Sequence, residues 1–109
     1  MVNRAVAVIA LAMFCMTPAS SAPRTQLILL GTGTPGPDPE RSGPATAIAI
    51  DDRAYLVDAG PGIVRRAAAA AARGVRAIRP ENLKIAFVTH LHSDHTVGYP
   101  DLICDACRT

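Results

Sequence analysis

One short segment, THLHSDHT at residues 89–96, constrains the fold of this chain more than any other feature of its sequence. The segment holds four side chains that can ligate metal ions, including all three histidines of the protein: His90, His92, Asp94 and His95. The apolar run LKIAFVT at residues 83–89 leads directly into it, and this run predicts a buried strand. The fold must therefore place the end of a strand and the turn that follows it at one site.

The spacing of these four side chains favours two neighbouring cations. His90 and His92 are two residues apart, so in an extended chain both can point to the same side and ligate one cation. Asp94 and His95 are adjacent and diverge in an extended chain, but a turn lets them ligate a second cation beside the first. Neutral imidazoles bind zinc at about 2.0–2.1 Å, and zinc lowers the pKa of its bound water to about 7, which creates a hydroxide nucleophile at neutral pH. A metal-free polar loop and a structural metal clip are the alternatives, but nitrogen and oxygen ligands are more typical of an open catalytic site.

The remaining sequence predicts a mixed α/β domain. Three apolar runs predict strands, at Gln26–Leu30, which we expect to be buried, and at Ala45–Ile50 and Ala54–Asp58. The last two form a hairpin because turn residues separate them, and Thr46, Ile48 and Ile50 share one face of its first strand. Two segments predict helices: Ile63–Arg73 with Gly74 as its C-terminal cap, and a shorter helix within Thr96–Cys104.

The glycines of GTGTPG at residues 31–36 spell G-x-G-x-x-G directly after a predicted strand, and Asp51 follows about 20 residues later. This spacing matches the dinucleotide-binding fingerprint. That fingerprint must open a helix, and three prolines of the same loop prevent one: Pro35, Pro37 and Pro39. We therefore expect a loop over residues 31–44, in which the glycines permit a tight turn beside a site or another strand.

The first 22 residues, Met1–Ala22, are typical of a secretory signal peptide. Arg4 supplies the positive start, Ala5–Met16 is an apolar stretch of twelve residues, and small residues follow it at Ala19–Ala22. Twelve residues are too few to cross a bilayer core about 30 Å thick, so we expect no stable membrane span. The sequence predicts an exported protein, periplasmic or secreted, and a buried N-terminal helix is the alternative.

Composition narrows the function classes further. Lys and Arg number 11 against 9 Asp and Glu, a net charge of +2 that excludes a nucleic-acid binder working through bulk charge. Hydrophobic residues make up 50% of the chain, which excludes disorder throughout, but many of them are alanine, so we expect a thin core. Cys104 and Cys107 form a C-x-x-C pair that fits a disulfide, half a zinc site, a redox pair or two unpaired thiols near the chain end.

The histidine segment also carries a family resemblance. HLHSDH resembles the H-x-H-x-D-H signature of the metallo-β-lactamase superfamily. Three other stretches resemble the ribonuclease Z and arylsulfatase-like branch of that superfamily: LILLGTGTPGP at residues 27–37, YLVDAGPG at 55–62 and TVGYPDLI at 96–103. The resemblance covers residues 26–103, and its most specific part is the H-x-H-x-D-H element.

This resemblance implies a fold and a set of roles. The fold would be the N-terminal half of an αββα sandwich, spanning residues 23–109 after the signal peptide. His90 and His92 would ligate a first zinc, and Asp94 and His95 a second. Asp94 would also orient or deprotonate the attacking water, as a catalytic residue. Asp58, at the end of the predicted hairpin, would fix a ligand or the loop from behind, and a simple turn residue is its alternative.

The implied activity is that of a zinc-dependent hydrolase with two zinc ions, acting on a phosphate, sulfate or other ester. The motifs indicate the ribonuclease Z reaction. The precursors of tRNA are intracellular, however, so for an exported protein we expect a small ester as the substrate rather than tRNA.

One departure from the family pattern qualifies this expectation. The family completes its site with a further histidine, a bridging aspartate and a last histidine, whereas no histidine follows His95 here. Asp101 and Asp105 follow too closely to be assigned as the bridging ligand. We therefore expect a truncated or frame-shifted chain whose sheet leaves an apolar face uncovered. The alternative function is a catalytically incomplete metal-binding fragment, and a redox module built on the two cysteines is a third option.

Overall fold

The computed structural model describes residues 24–106, so the predicted signal peptide and Cys107 lie outside the described residues. Four strands form one sheet in chain order: β1 (Thr25–Gly31), β2 (Ala45–Ile50), β3 (Arg53–Val57) and β4 (Ala86–Phe87). The first three strands are antiparallel, and β4 runs parallel to β3. Within this described part of the chain, three α-helices accompany the sheet: α1 (Ile63–Ala72), α2 (Ser93–Thr96) and α3 (Tyr99–Ala106). Short 3₁₀ turns at Arg76–Ile78 and Pro80–Asn82 connect α1 to β4.

The mixed α/β class is confirmed, and most element bounds lie close to those expected. β2 matches its prediction, and β1 extends the predicted strand by one residue at each end. α1 ends one residue earlier than expected, and Gly74 after it has a φ of 109°, a conformation that favours glycine at a helix end. None of the helices within residues 24–106 has the length and apolar character that a membrane span needs.

The strand predicted over residues 83–89 is much shorter in the structure. β4 lies at the edge of the sheet, and β3 is its neighbour among the described strands. The amides of Leu56 and Asp58 donate to the carbonyl oxygens of Ile85 and Phe87, at 2.9 Å and 2.8 Å. Asp58 then adopts a φ of 61° and lies outside β3, although the sequence placed it in that strand. This turn carries the chain away from β4, and the pairing ends there.

Small residues dominate the side of the sheet that packs against α1 and the 3₁₀ turns. Ala45, Ala47 and Ala49 of β2 are buried there, and α1 adds the buried Ile63 and Ala67 to the same cluster. Besides Ile63, the larger side chains of this core are few: Leu30, Leu56, Ile78, Leu83 and Leu102. The core is thin, as the alanine content predicts.

The opposite side of the sheet is apolar and exposed. It carries seven apolar or aromatic side chains in matching register, which we call the open face: Leu27, Leu29, Ile48, Ile50, Tyr55, Val57 and Phe87. Three of them are more than half exposed, with 69% for Leu27, 62% for Leu29 and 57% for Phe87, so the prediction that β1 and β4 are buried strands is wrong. The structure thus has the uncovered sheet face that the sequence predicts.

Residues 32–44 form an irregular loop, and no helix begins at the glycines that imitate a dinucleotide fingerprint. Gly31 lies so close to Gly43 that a Cβ atom on Gly31 would overlap the Gly43 carbonyl oxygen. The amide of Gly33 donates to the carbonyl oxygen of Ser42 at 2.8 Å. The glycines therefore permit two chain segments to lie side by side, as expected from the prolines around them.

The helix predicted within residues 96–104 is α3, which begins at Tyr99, and the unpredicted short helix α2 precedes it in the ligand segment, with Val97 and Gly98 between the two. The Gly98 amide donates to the carbonyl oxygen of Ala59 at 2.8 Å. A Cβ atom on Gly98 would lie only 2.7 Å from that same oxygen. Contact with the end of the hairpin, a tertiary interaction, therefore sets the break.

Candidate metal centre

The centre is built around Asp58, the residue directly after β3. Its φ of 61° lies in the left-handed region, which aspartate tolerates better than most residues. The residue is 6% exposed, so its carboxylate lies inside the molecule and not in a surface turn. This position turns the side chain towards the segment that carries the histidines.

Two residues of that segment donate hydrogen bonds to the Asp58 carboxylate. The Thr89 amide donates to Oδ1 at 2.8 Å, and the Thr89 hydroxyl lies 3.0 Å from Oδ1 and 2.8 Å from Oδ2. His95 Nδ1 lies 2.8 Å from Oδ2. Within the described residues no buried side-chain nitrogen or oxygen lacks a partner, and Asp58 meets this condition through Thr89 and His95.

The same contacts set the charge of Asp58. Burial raises the pKa of the Asp58 carboxyl, but hydrogen bonds from the Thr89 amide, from His95 and from the Thr89 hydroxyl outweigh it, and the pKa falls below its ordinary value of 3.8. The carboxylate is therefore ionised at neutral pH. Burial raises the pKa of the nearby Tyr99 above 10.0, and the charge of Asp58 raises it further.

The first two histidines lie together where the chain leaves β4. His90 Nε2 and His92 Nδ1 are 3.0 Å apart, and the planes of the two rings meet at 78°. His90 Nδ1 faces the other way and lies 3.0 Å from the Thr89 hydroxyl. Both rings are exposed to solvent. The structure thus brings both side chains to one side of the chain, as their spacing predicts.

The second pair, Asp94 and His95, belongs to α2. The helical turn places Asp94 Oδ2 at 3.5 Å from His95 Nε2, although adjacent residues diverge in an extended chain. Both side chains are largely buried, at 11% and 18% exposure. The rings of His90 and His95 are 4.0 Å apart between centroids, so the two pairs lie side by side.

Backbone hydrogen bonds tie this segment to the end of the hairpin. The Ala59 amide donates to the His95 carbonyl oxygen at 2.8 Å, and the Gly98 amide donates to the Ala59 carbonyl oxygen at the same distance. Inside α2, the Thr96 hydroxyl donates to the His92 carbonyl oxygen at 3.1 Å. The amide and the carbonyl oxygen of Ala59 therefore both hold the segment that carries the ligand-type side chains.

The atoms of each pair are spaced as two ligands of one zinc ion would be. Neighbouring ligand atoms of a tetrahedral zinc are about 3.3 Å apart when the bonds are about 2.0–2.1 Å. The separations of 3.0 Å and 3.5 Å lie on either side of this value. Nδ1 of His95 is hydrogen-bonded to Asp58, so Nε2 of the same ring remains available to a metal. This is the usual arrangement of a metal-ligating histidine. Within residues 24–106, no three His, Cys, Asp or Glu side chains converge to hold an ion unaided.

A cleft of about 600 Å³ opens beside Asp94. The proline-rich loop at residues 34–39 forms one wall, and Ser93 and Val97 of the α2 region contribute to the other. Arg41 also lines it and lies 3.5 Å from Asp38, although both side chains remain largely exposed. A substrate group could therefore reach the second pair from this side.

Sequence reasoning named the five residues of the centre but gave no role to Thr89. Its hydroxyl contacts both Asp58 and His90, which makes it part of the centre. The sequence signal that could have identified Thr89 is a hydroxyl residue directly before the first histidine. Further along the chain, in α3, Cys104 is exposed, and Cys107 lies outside the described residues, so the alternatives for these two cysteines stay open.

Comparison with known proteins extends this description. The sequence model of the metallo-beta-lactamase superfamily matches residues 25–103. The chain belongs to this superfamily. Within it, ribonuclease Z of Mycobacterium bovis is 45% identical over 78 residues, which cover 72% of this chain and 26% of that protein. Ribonuclease Z of Mycobacterium marinum is 44% identical over the same length and the same shares. The chain therefore spans about a quarter of the length of these superfamily relatives.

Two solved structures are similar to the fold of this chain. The crystal structure of human tRNase Z, short form, has a TM-score of 0.61 and 28% identity, and the match covers 75% of this chain and 29% of that one. The metallo-beta-lactamase fold protein YhfI from Bacillus subtilis has a TM-score of 0.64 over 79% of this chain and 33% of that one, with 16% identity, which supports the fold alone. The expected fold, the N-terminal part of a metallo-β-lactamase sandwich, is confirmed, and so is the likeness to ribonuclease Z.

Proposed function

We propose that this chain supplies the first two ligand pairs of a zinc-dependent hydrolase that cleaves phosphate esters. The observation that carries the proposal is the pair of donor sets beside each other, His90 with His92 and Asp94 with His95, backed by the buried Asp58. Similarity to ribonuclease Z over most of the described residues supports hydrolytic chemistry at this site.

His90 and His92 would hold one zinc, and Asp94 and His95 the other. When bound, zinc would supply acidification of water and compensation of the negative charge that develops on the ester. Asp94 would also orient or deprotonate the attacking water, since its carboxylate has a second oxygen and the residue lines the cleft. Asp58 keeps the His95 ring in one orientation through its 2.8 Å contact with Nδ1.

Among the esters expected from the sequence, similarity to known proteins favours a phosphodiester. The two mycobacterial relatives and the human structure are named for ribonuclease or tRNase activity, and none of these names supports the small ester that export suggested. The net charge of +2 is too small for binding through bulk charge. We therefore infer that an RNA phosphodiester would be selected by shape and contacts at the cleft.

The test combines zinc content with turnover. The chain is purified with zinc and assayed on bis(p-nitrophenyl) phosphate and on a tRNA precursor. We expect about two zinc ions per chain and cleavage of at least one substrate, while His92→Ala loses the first zinc and the activity. Lys84→Ala, an exposed position in the segment before β4, is the matched control and should change neither value. Unchanged zinc content and rate in His92→Ala would contradict the ligand assignment.

A second candidate function is a catalytically incomplete metal-binding fragment. The observation that favours it is that residues 24–106 offer two ligands for each ion and no group of three. In the same experiment this candidate predicts weak zinc binding, at one ion or fewer, and no turnover of either ester. Metal stoichiometry therefore separates the two candidates before any kinetic analysis.

We also propose that residues 1–22 direct export, on the strength of their charge, apolar stretch and small residues. N-terminal sequencing of the protein recovered from the periplasm or the medium should then begin at Ser20 or Pro23. Recovery of the protein in the cytoplasm with Met1 intact would contradict export, and would remove the argument against an intracellular RNA substrate.

A further inference from the structure

The Thr89 hydroxyl lies between the two kinds of group that make up the centre. On one side it is 2.8 Å from Asp58 Oδ2 and 3.0 Å from Oδ1. On the other side it is 3.0 Å from Nδ1 of His90. The backbone amide of the same residue donates to Asp58 Oδ1, so the Thr89 main chain cannot move away from the carboxylate without losing that bond.

Counting protons fixes the direction of these contacts. A hydroxyl has one proton to donate, and an ionised carboxylate can only accept. If the hydroxyl donated to His90, its oxygen would face the oxygens of Asp58 at 2.8–3.0 Å with no proton between them. The hydroxyl therefore donates to Asp58, and its oxygen accepts the proton of His90 Nδ1.

We propose that Thr89 is a positioning residue. Because its hydroxyl donates to the negatively charged Asp58, its oxygen accepts from His90 and holds the His90 proton on Nδ1. His90 Nε2 is then free of a proton and able to ligate a metal. One buried carboxylate thus orients both histidines that flank it: His95 by direct contact and His90 through the threonine hydroxyl. The importance of this tautomer rests on the proposed function, in which His90 is a zinc ligand.

His92 behaves differently under this arrangement. Because His90 Nε2 carries no proton, the 3.0 Å contact between the two rings requires a neutral His92 to donate from Nδ1. That nitrogen is also the one that faces the first metal position. If zinc were bound through this nitrogen, the His92 proton would have to lie on Nε2, whereas the His90 and His95 protons would stay on Nδ1.

Long-range ¹H–¹⁵N spectra of the labelled chain reveal the position of each imidazole proton, with or without zinc. In the metal-free wild type we expect the Nδ1–H form at His90, His92 and His95, and a change to Nε2–H at His92 alone when zinc is added. Thr89→Val keeps the shape but removes the hydroxyl, so His90 should lose its Nδ1–H preference and zinc affinity should fall about 10–100-fold. Thr89→Ser should restore both.

Thr25→Val is the matched control, because it removes an exposed hydroxyl at the start of β1, outside the centre. Retention of the Nδ1–H form at His90 in Thr89→Val, or a Thr89→Ser variant that behaves like valine, overturns the proposal. If circular dichroism finds Thr89→Val unfolded, the wild type decides, since an Nε2–H form at His90 overturns the proposal by itself. The tautomers are measured without metal, so an Nδ1–H form at His90 together with absent zinc binding supports the Thr89 relay and counts against the proposed function.

Discussion

At the scale of single residues, Asp58 connects the backbone turn, the ligand segment and the charge of the centre. Its left-handed φ of 61° ends the pairing of β3 with β4, and its carboxylate accepts hydrogen bonds from Thr89 and His95. Most residue types would be strained in this conformation, but aspartate and asparagine tolerate it. The position therefore accepts a substitution that changes the charge and leaves the turn in place.

Asp58→Asn removes that charge while keeping the shape and the tolerated backbone conformation. The amide is a weaker acceptor for His95 and the Thr89 hydroxyl, so both histidines beside it lose part of their orientation. We expect zinc affinity to fall about 10–100-fold, the usual consequence of losing such an outer partner. Competition with a chromophoric chelator measures the affinity.

Asp52→Asn is the control for this substitution, because Asp52 is exposed in the turn between β2 and β3. It removes the same charge from the chain and should leave zinc affinity unchanged. Equal affinities in the wild type and Asp58→Asn would mean that Asp58 acts only as a turn residue, the alternative that the sequence leaves open.

At the scale of elements, the centre depends on the contact between the end of the hairpin and the turn that joins α2 to α3. Gly98 is the closest point of this contact: a Cβ atom there would overlap the Gly60 carbonyl oxygen and lie 2.7 Å from the Ile63 side chain. The neighbours are backbone atoms and a buried side chain, so moving them to make room for a Cβ atom would cost free energy. The glycine is required by packing, since its own φ is not in the left-handed region.

Gly98→Ala should therefore lower the free energy of unfolding by about 1–3 kcal/mol, the usual cost of overpacking. We expect zinc binding to weaken as well, because the same contact positions His95 through the Ala59 amide. Thermal unfolding of the metal-free chain measures the first effect. Gly36→Ala is the control, since the nearest atom to a Cβ there is 3.8 Å away, and a similar loss in both variants would refute the packing argument.

At the scale of the whole molecule, the open face of the sheet is the dominant feature outside the centre. Apolar side chains cover it in every strand, and Arg53 is the one charged residue among the paired positions of this face. Exposed apolar patches of this kind mark surfaces that bind other molecules or associate. Because the alanine core on the other side of the sheet is thin, this face has a larger influence on the stability and association of the chain.

Replacing Leu27 and Leu29 together by threonine tests whether the open face is accessible to solvent. Both side chains are more than 60% exposed, so we expect stability to change by less than about 0.5 kcal/mol. Binding of a hydrophobic fluorescent dye to the chain should fall clearly, because two neighbouring apolar side chains are lost. Dye binding equal to that of the wild type would mean that the two leucines are covered in solution.

The sequence by itself determined the local parts of this protein. Apolar runs predicted β1 and β2, and helix-forming residues predicted α1, all almost to the residue, because local composition is enough to set the bounds of these elements. The prolines of the 31–44 loop excluded a nucleotide-binding helix for an equally local reason. The spacing of His90 and His92 was enough to place them together.

Tertiary structure decided the features that depend on distant segments. The short β4, the break before α3 and the position of Asp58 all arise where the hairpin end meets the histidine segment, more than 30 residues away along the chain. The role of Thr89 belongs to the same class, because a hydroxyl becomes a link between Asp58 and His90 only when folding brings a carboxylate within 2.8 Å of it. Sequence patterns reflect periodicity along one segment, whereas a hydrogen bond between segments exists only once both are packed together.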